Sequence, residues 1–141
     1  MKQAKHIAMA LLLLLCTAQA AEAKKVQKQH VYMFGFSASF RDSTVYFTDI
    51  QDVRGAWLDS RTKFLLGRDN YAYQLRNYMT DSLNEKGRIN MVIFGEKLRK
   101  VEKKYEKMKK LYTVKAKGGY DVHYLPLSAF RFEAVDMSDD E

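Results

Sequence analysis

The sequence HVYMFGFSASF, residues 30–40, alternates between two sets of side chains. One side carries Tyr32, Phe34, Phe36, Ala38 and Phe40, and the other carries Val31, Met33, Gly35, Ser37 and Ser39. A period of two residues is typical of a β-strand. The sequence TVYFTDI (44–50) has the same character and follows the polar residues 41–43, so the two segments predict an antiparallel hairpin.

Two helical periodicities follow, with a short apolar strand between them. Residues 51–67 predict an irregular segment with room for one short strand. A helix is expected to begin at Asp69 or Asn70 and to end at Gly87, because an N-cap residue and a C-terminal glycine bracket a repeating apolar face. The remaining elements are predicted as a strand over 88–94, a helix over 95–112 and, after Gly118 and Gly119, either one strand interrupted at Pro126 or two short strands at 120–127 and 129–135.

The order β-β-α-β-α-β predicts a single α+β domain over residues 30–135, with a mostly antiparallel sheet. We expect both helices to pack on one face of that sheet, since each has one apolar stripe to bury. No internal repeat or low-complexity linker divides the chain.

The N-terminal residues predict a secretory signal peptide over residues 1–20. Lys2 and Lys5 precede an apolar run, and Ala18 and Ala20 form an A-x-A cleavage pattern. The run is too short to cross a bilayer, so we predict no transmembrane segment in the mature chain. Cleavage after Ala23 is the second acceptable site. Residues 21–29 are predicted to be a flexible leader, and residues 136–141 an acidic disordered tail.

Cys16 is the single cysteine of the chain and has two interpretations. It could be a lipoprotein cysteine, but Leu15 before it is large, whereas lipoprotein processing requires a small residue there. We therefore expect Cys16 to leave with the signal peptide. The mature chain then has no disulfide, thiol nucleophile or cysteine-ligated metal.

The positive charge is concentrated in one segment. The net charge is +7 for the whole chain and would be +5 without Lys2 and Lys5. Residues 96–117 contain ten Lys or Arg and three Glu, so the rest of the mature chain is slightly acidic. The predicted helix places an apolar stripe (Leu98, Val101, Tyr105, Met108, Tyr112) opposite a cluster of five cations, Arg99, Lys100, Lys103, Lys107 and Lys110.

These five cations have a structural and a functional interpretation. A solvated surface helix would carry them simply to stay soluble, with Glu96–Lys100 and Glu106–Lys110 as favourable pairs. In the functional interpretation they bind an anionic polymer of the cell envelope, such as lipopolysaccharide, teichoic acid or an acidic glycan, or they contact another envelope protein. Nucleic acid is not expected as the partner.

Few residues point to catalysis. His30 and His123 are the histidines of the mature chain, and neither has the spacing of a metal site. We predict no cofactor, no metal and no enzymatic activity. The alternative is a small periplasmic hydrolase that uses His123 with a nearby carboxylate, Asp121 being next to it in the strand pattern.

Two segments carry a resemblance, VYFTDIQDVRGAWLDSRTKFLLGRDNYAYQLRNYM (45–79) and VEKKYEKMKKLY (101–112). They resemble small exported proteins of Bacteroides-like bacteria. The resemblance implies an exported protein of the bacterial envelope, periplasmic or secreted, and it assigns no functional residue.

Overall fold

The computed structural model describes residues 24–138 and has two helices and seven strands in that range. The predicted signal peptide lies outside the described residues. The elements are β1 (Lys25–Gln27), β2 (Tyr32–Ala38), β3 (Thr44–Thr48), β4 (Gln51–Asp52), β5 (Trp57–Asp59), α1 (Arg68–Leu83), β6 (Ile89–Gly95), α2 (Leu98–Tyr112) and β7 (Asp121–Leu125).

Strand β2 is the centre of the main sheet. Strand β6 pairs antiparallel with it along its whole length, and β3 and β4 pair antiparallel with successive parts of β2, which places them together on its other edge. Strand β7 then adds to β3 in parallel. The sheet order is β6–β2–β3–β7. The predicted α+β class, the mostly antiparallel sheet and the β2–β3 hairpin are confirmed.

The two helices pack on opposite faces of this sheet, so the prediction that they share one face is wrong. Helix α1 buries its stripe in a cluster with Met33 and Val92, whereas α2 packs on Phe34, Phe36 and Phe47. The reason is that β2 is buried on both sides, with Met33, Phe34 and Phe36 all at most 4% exposed. A strand that is apolar on both faces needs a cover on each.

Helix α1 lies very close to β2 at Gly35. A Cβ atom at Gly35 would stand 2.7 Å from the Leu75 side chain, so a larger residue would force this side chain to move away. The N-cap is Gly67 rather than Asp69 or Asn70, so this prediction is wrong and the helix begins at Arg68. It also ends earlier than predicted, at Leu83, because Asn84 takes a left-handed conformation (φ 54°) and its N–H donates to the Met79 carbonyl.

Residues 126–138, which we call the C-terminal strap, cross the α1 side of the sheet without forming a strand. The predicted strand at 129–135 is therefore wrong. Its backbone groups bond to side chains instead of to a neighbouring strand: Gln51 Nε2 donates to the Phe130 carbonyl at 3.1 Å, and the Phe132 N–H donates to Gln51 Oε1 at 2.7 Å. Gln74 makes the same pair of bonds to Glu133.

Both predicted flexible ends are partly ordered. Within the predicted leader, Lys25–Gln27 form β1, which pairs antiparallel with β5. Within the predicted tail, the Met137 carbonyl accepts a hydrogen bond from Lys25 Nζ at 3.3 Å. Residues 139–141 lie outside the described range. Residues 51–67 contain β4 and β5, one short strand more than expected.

Candidate polyanion-binding face

Helix α2 is held on the sheet by aromatic contacts. Val101 is fully buried, and the rings of Tyr105 and Tyr112 meet those of Phe34 and Phe36 at centroid distances of 5.0 Å. These contacts fix the rotation of α2 about its own axis. The predicted stripe is therefore the packed side of the helix, except that Leu98 at its start is 41% exposed.

Tyr105 provides a direct test of this packing. Burial raises its pKa from 10.0 to about 12, so we expect it to ionise after the exposed tyrosines in an alkaline titration followed by phenolate absorbance. Its contribution to stability is complete below pH 10 and is lost as the pH rises towards 12, because the unfolded chain gives up the proton first. The late step should be smaller by one tyrosine in Tyr105→Phe, and it should not vanish, because burial also raises the pKa values of Tyr46 and Tyr71. A wild-type titration in which all nine tyrosines ionise together near pH 10 would contradict the packing.

The five predicted cations all lie exposed on the outer side of α2. We call Arg99, Lys100, Lys103, Lys107 and Lys110 the basic helix face. At 1.5 Å per residue the face extends over about 16 Å along the helix axis. Neighbouring cations three or four residues apart have Cβ atoms only about 5–6 Å from each other.

These cations have no ion-pair partner within 4.0 Å among residues 24–138. The two expected pairs, Glu96–Lys100 and Glu106–Lys110, are therefore wrong, and Glu96 instead binds Lys28 Nζ at 3.1 Å. Exposed pairs of this kind stabilise a helix by less than about 1 kcal/mol, so their absence costs little. The consequence is that no direct ion pair within the described residues neutralises these five cations.

Two carboxylates border the face. Glu102 and Glu106 line a shallow open hollow together with Arg99, Lys103, Lys107 and Lys110. The surface is thus predominantly but not exclusively basic. An anionic chain lying along α2 would meet the cations on the side away from these two glutamates.

Sequence reasoning missed two more lysines beside the face. Lys109 Nζ stands 5.5 Å from the centre of the Tyr124 ring on β7, a cation–π contact that holds this lysine on the β7 side of α2. Lys104 is exposed on the opposite flank. The helical period of 100° per residue places Lys104 beside the face, so the signal was present in the sequence.

The second candidate site is His123, on β7. Its Nε2 lies 2.8 Å from Asp121 Oδ2, and its ring packs against Tyr46 with centroids 5.2 Å apart. A carboxylate that orients a histidine is one part of an acyl-transfer site. Within the described part of the chain, however, no serine or threonine hydroxyl hydrogen-bonds to this ring, and both His123 and Asp121 are widely open to solvent.

His30 makes a similar contact elsewhere on the surface. Its Nδ1 lies 2.8 Å from Asp52 Oδ2, and Arg54 Nε is 3.6 Å from the same oxygen. The two histidines are not brought together. Residues 24–138 contain no group of three or more His, Cys, Asp or Glu side chains arranged to hold a metal ion.

None of the helices in this same range combines the length and apolar character required to cross a bilayer. In comparisons with known proteins, no family model, no curated protein and no solved structure matches the chain. The resemblance to exported bacterial proteins therefore stays a prediction, and the basic helix face is the feature from which a function is argued.

Proposed function

We propose that the protein is an exported binding module of the bacterial envelope, periplasmic or secreted, and that its basic helix face contacts an anionic envelope polymer. The observation that carries this proposal is the set of five exposed cations that form no ion pair with any residue of the described range 24–138. They sit on a helix whose rotation is fixed by buried aromatic contacts. Export is supported by the signal-peptide pattern of residues 1–20.

The physical basis is additive electrostatic attraction. Each exposed lysine alone contributes little, because water and salt screen it. The Debye length at physiological salt is about 8 Å, longer than the spacing between neighbouring cations on the face, so their fields overlap. An anionic polymer meets all five at once, whereas a single small anion meets one or two. A linear polyanion or an acidic surface of another envelope protein is therefore the chemistry that fits.

We expect the triple substitution of Lys103, Lys107 and Lys110 by glutamate to abolish salt-sensitive retention on a dextran sulfate column. A lysine near an anionic surface contributes about 1 kcal/mol, so reversing three should lower the affinity by at least about 100-fold. Circular dichroism and the cooperativity of melting should be nearly unchanged, since all three side chains are exposed.

The matched control is the substitution of Arg61, Lys86 and Arg131 by glutamate, which makes the same change in net charge at exposed positions outside α2. This control variant should keep most of the wild-type retention on dextran sulfate. The proposal is wrong if wild type elutes at low salt together with the α2 variant, because the basic helix face would then be only a solvated surface.

A hydrolase centred on His123 is the second candidate, and its contact with Asp121 is the observation that favours it. That contact supplies a base and its orienting carboxylate. It supplies no activated nucleophile within the described residues, so binding is the function that the geometry supports better.

A further inference from the structure

Apolar side chains are exposed on the same face of the sheet that α2 covers. Ile89 and Met91 of β6 are 45% and 42% exposed. They stand directly opposite Ala38 and Phe36 on β2, and residues opposite each other on antiparallel strands point to the same side. Because the Phe36 ring contacts α2, Ile89 and Met91 lie on the α2 side, at the outer edge of the sheet.

The flank of α2 that faces β6 adds a third apolar side chain. Lys109 faces β7, as its contact with Tyr124 shows, and β7 and β6 lie at opposite edges of the sheet. Leu111 is two residues further along, about 160° away around the helix at 3.6 residues per turn, so it lies on the β6 side. Leu111 is 45% exposed. We call Ile89, Met91 and Leu111 the apolar margin.

Lysines of α2 lie next to the apolar margin. Lys104 lies on the same flank of α2 as Leu111, and Lys100 and Lys107 are the cations of the face nearest to that flank. Long lysine side chains can lay their methylene stems beside apolar groups while the ammonium reaches outward. Cations and apolar side chains thus form one continuous amphipathic surface.

A wholly hydrophilic polymer would use only half of this surface. It would pair with the lysines and leave Ile89, Met91 and Leu111 in water. An anionic lipid surface uses both halves, because its phosphates meet the lysines and its headgroup–acyl boundary receives short apolar side chains. The apolar margin beside Lys100, Lys104 and Lys107 is complementary in charge and polarity to that boundary.

We propose that the apolar margin and the basic helix face together form a peripheral docking surface for a membrane containing anionic phospholipid. This inference rests on the proposed binding of anionic ligands by the basic helix face and names an anionic lipid surface as the partner. The protein would lie on the membrane with α2 parallel to it and would not cross it. Stable attachment to a membrane needs both contributions, since at physiological salt neither three partly exposed apolar side chains nor exposed lysines alone hold a protein on a bilayer.

The test is co-flotation of the protein with vesicles of phosphatidylcholine alone or with about one third phosphatidylglycerol, a composition that supplies a negative surface potential. Wild type should bind only the anionic vesicles. The variant Ile89→Thr/Met91→Thr/Leu111→Gln, which keeps strand and helix formers at these positions, should lose at least about tenfold in vesicle binding. It should keep its retention on dextran sulfate. Phe64→Thr, which removes a 59% exposed ring from the loop after β5, is the control and should bind like wild type.

A second measurement uses wild type alone and does not depend on the folding of the variant. Binding to anionic vesicles should persist at a salt concentration that elutes the protein from dextran sulfate, because apolar contacts are not screened. The inference is wrong if wild type ignores the vesicles, if the margin variant floats with them as well as wild type, or if salt releases both ligands equally. If wild type is not retained on dextran sulfate at all, the proposed function itself is overturned.

Discussion

Replacing Arg88 by methionine should lower the free energy of unfolding by about 2–4 kcal/mol, because buried oxygen atoms that accept hydrogen bonds from Arg88 lose their donor at about 1–3 kcal/mol each. The Arg88 side chain is 1% exposed. Its Nε donates to Ser37 Oγ at 3.0 Å, and its Nη2 donates to the carbonyl oxygens of Ser37 and Thr44. Methionine fills a similar volume but leaves these buried acceptors without a donor.

The Arg88 guanidinium also contacts two carboxylates and an aromatic ring. Its Nη1 lies 3.5 Å from Asp42 Oδ1 and 3.6 Å from Glu85 Oε2, and its carbon stands 4.9 Å from the centre of the Tyr46 ring. Removing the cation would leave the carboxylates of Asp42 and Glu85, which are 47% and 35% exposed, without this ion-pair partner. Arg88 therefore ties β2, β3 and the loop before β6 into one unit.

The measurement is urea denaturation followed by circular dichroism, with Arg41→Met as the control. Arg41 is exposed on the β2–β3 turn, so the same substitution there should change the free energy of unfolding by less than about 0.5 kcal/mol. Arg88→Lys should lie between wild type and Arg88→Met, since it keeps the charge and loses the fork of donors. Equal stability of Arg88→Met and Arg41→Met would show that the Arg88 contacts do not form.

Gln51→Leu should lower the free energy of unfolding by about 2–4 kcal/mol, the second large effect that we expect. Two buried backbone groups lose their hydrogen-bond partners, and each loss costs about 1–3 kcal/mol. Gln51 is 3% exposed, and its side chain makes the hydrogen bonds that a neighbouring strand would otherwise make to the C-terminal strap. It bonds to the carbonyl of Phe130 and to the N–H of Phe132. Leucine has a similar size but can make neither bond.

Gln74→Leu is the matched control, because Gln74 makes the same two bonds to Glu133 at the solvent-exposed surface of the strap. Water can replace those bonds, so the loss should stay below about 1 kcal/mol. Hydrogen exchange at the Phe132 amide should accelerate in Gln51→Leu and remain slow in Gln74→Leu. If both variants lose the same stability, burial of the Gln51 contacts is not what holds the strap.

The candidate site was the part of the molecule most accessible from sequence. Its five cations are on one helix, and the 3.6-residue period alone separates them from the stripe of Val101, Tyr105, Met108 and Tyr112. The ion pairs expected beside them could not be predicted in the same way. Glu96 had a competing partner in Lys28, which is distant in sequence and is brought near only by the fold.

The sequence by itself determined the α+β class, the β2–β3 hairpin, both helices and the outward direction of the basic helix face. These properties are local, because the period of apolar residues depends only on the geometry of each strand or helix. It did not reveal that β1 would pair with β5, or that the C-terminal strap would bond to glutamine side chains. In each case the partner lies far away along the chain.

Only the tertiary structure decided which face of the sheet each helix covers. The alternation of residues 30–40 is apolar on both sides. A local pattern does not say whether the two helices pack on the same face of the sheet or on opposite faces. Packing decided it, because Gly35 admits Leu75 of α1 on one face while the rings of Phe34, Phe36 and Phe47 occupy the other and are covered by α2. That choice set α2 next to β6, and so it placed Ile89 and Met91 beside the lysines that the sequence had already pointed outward.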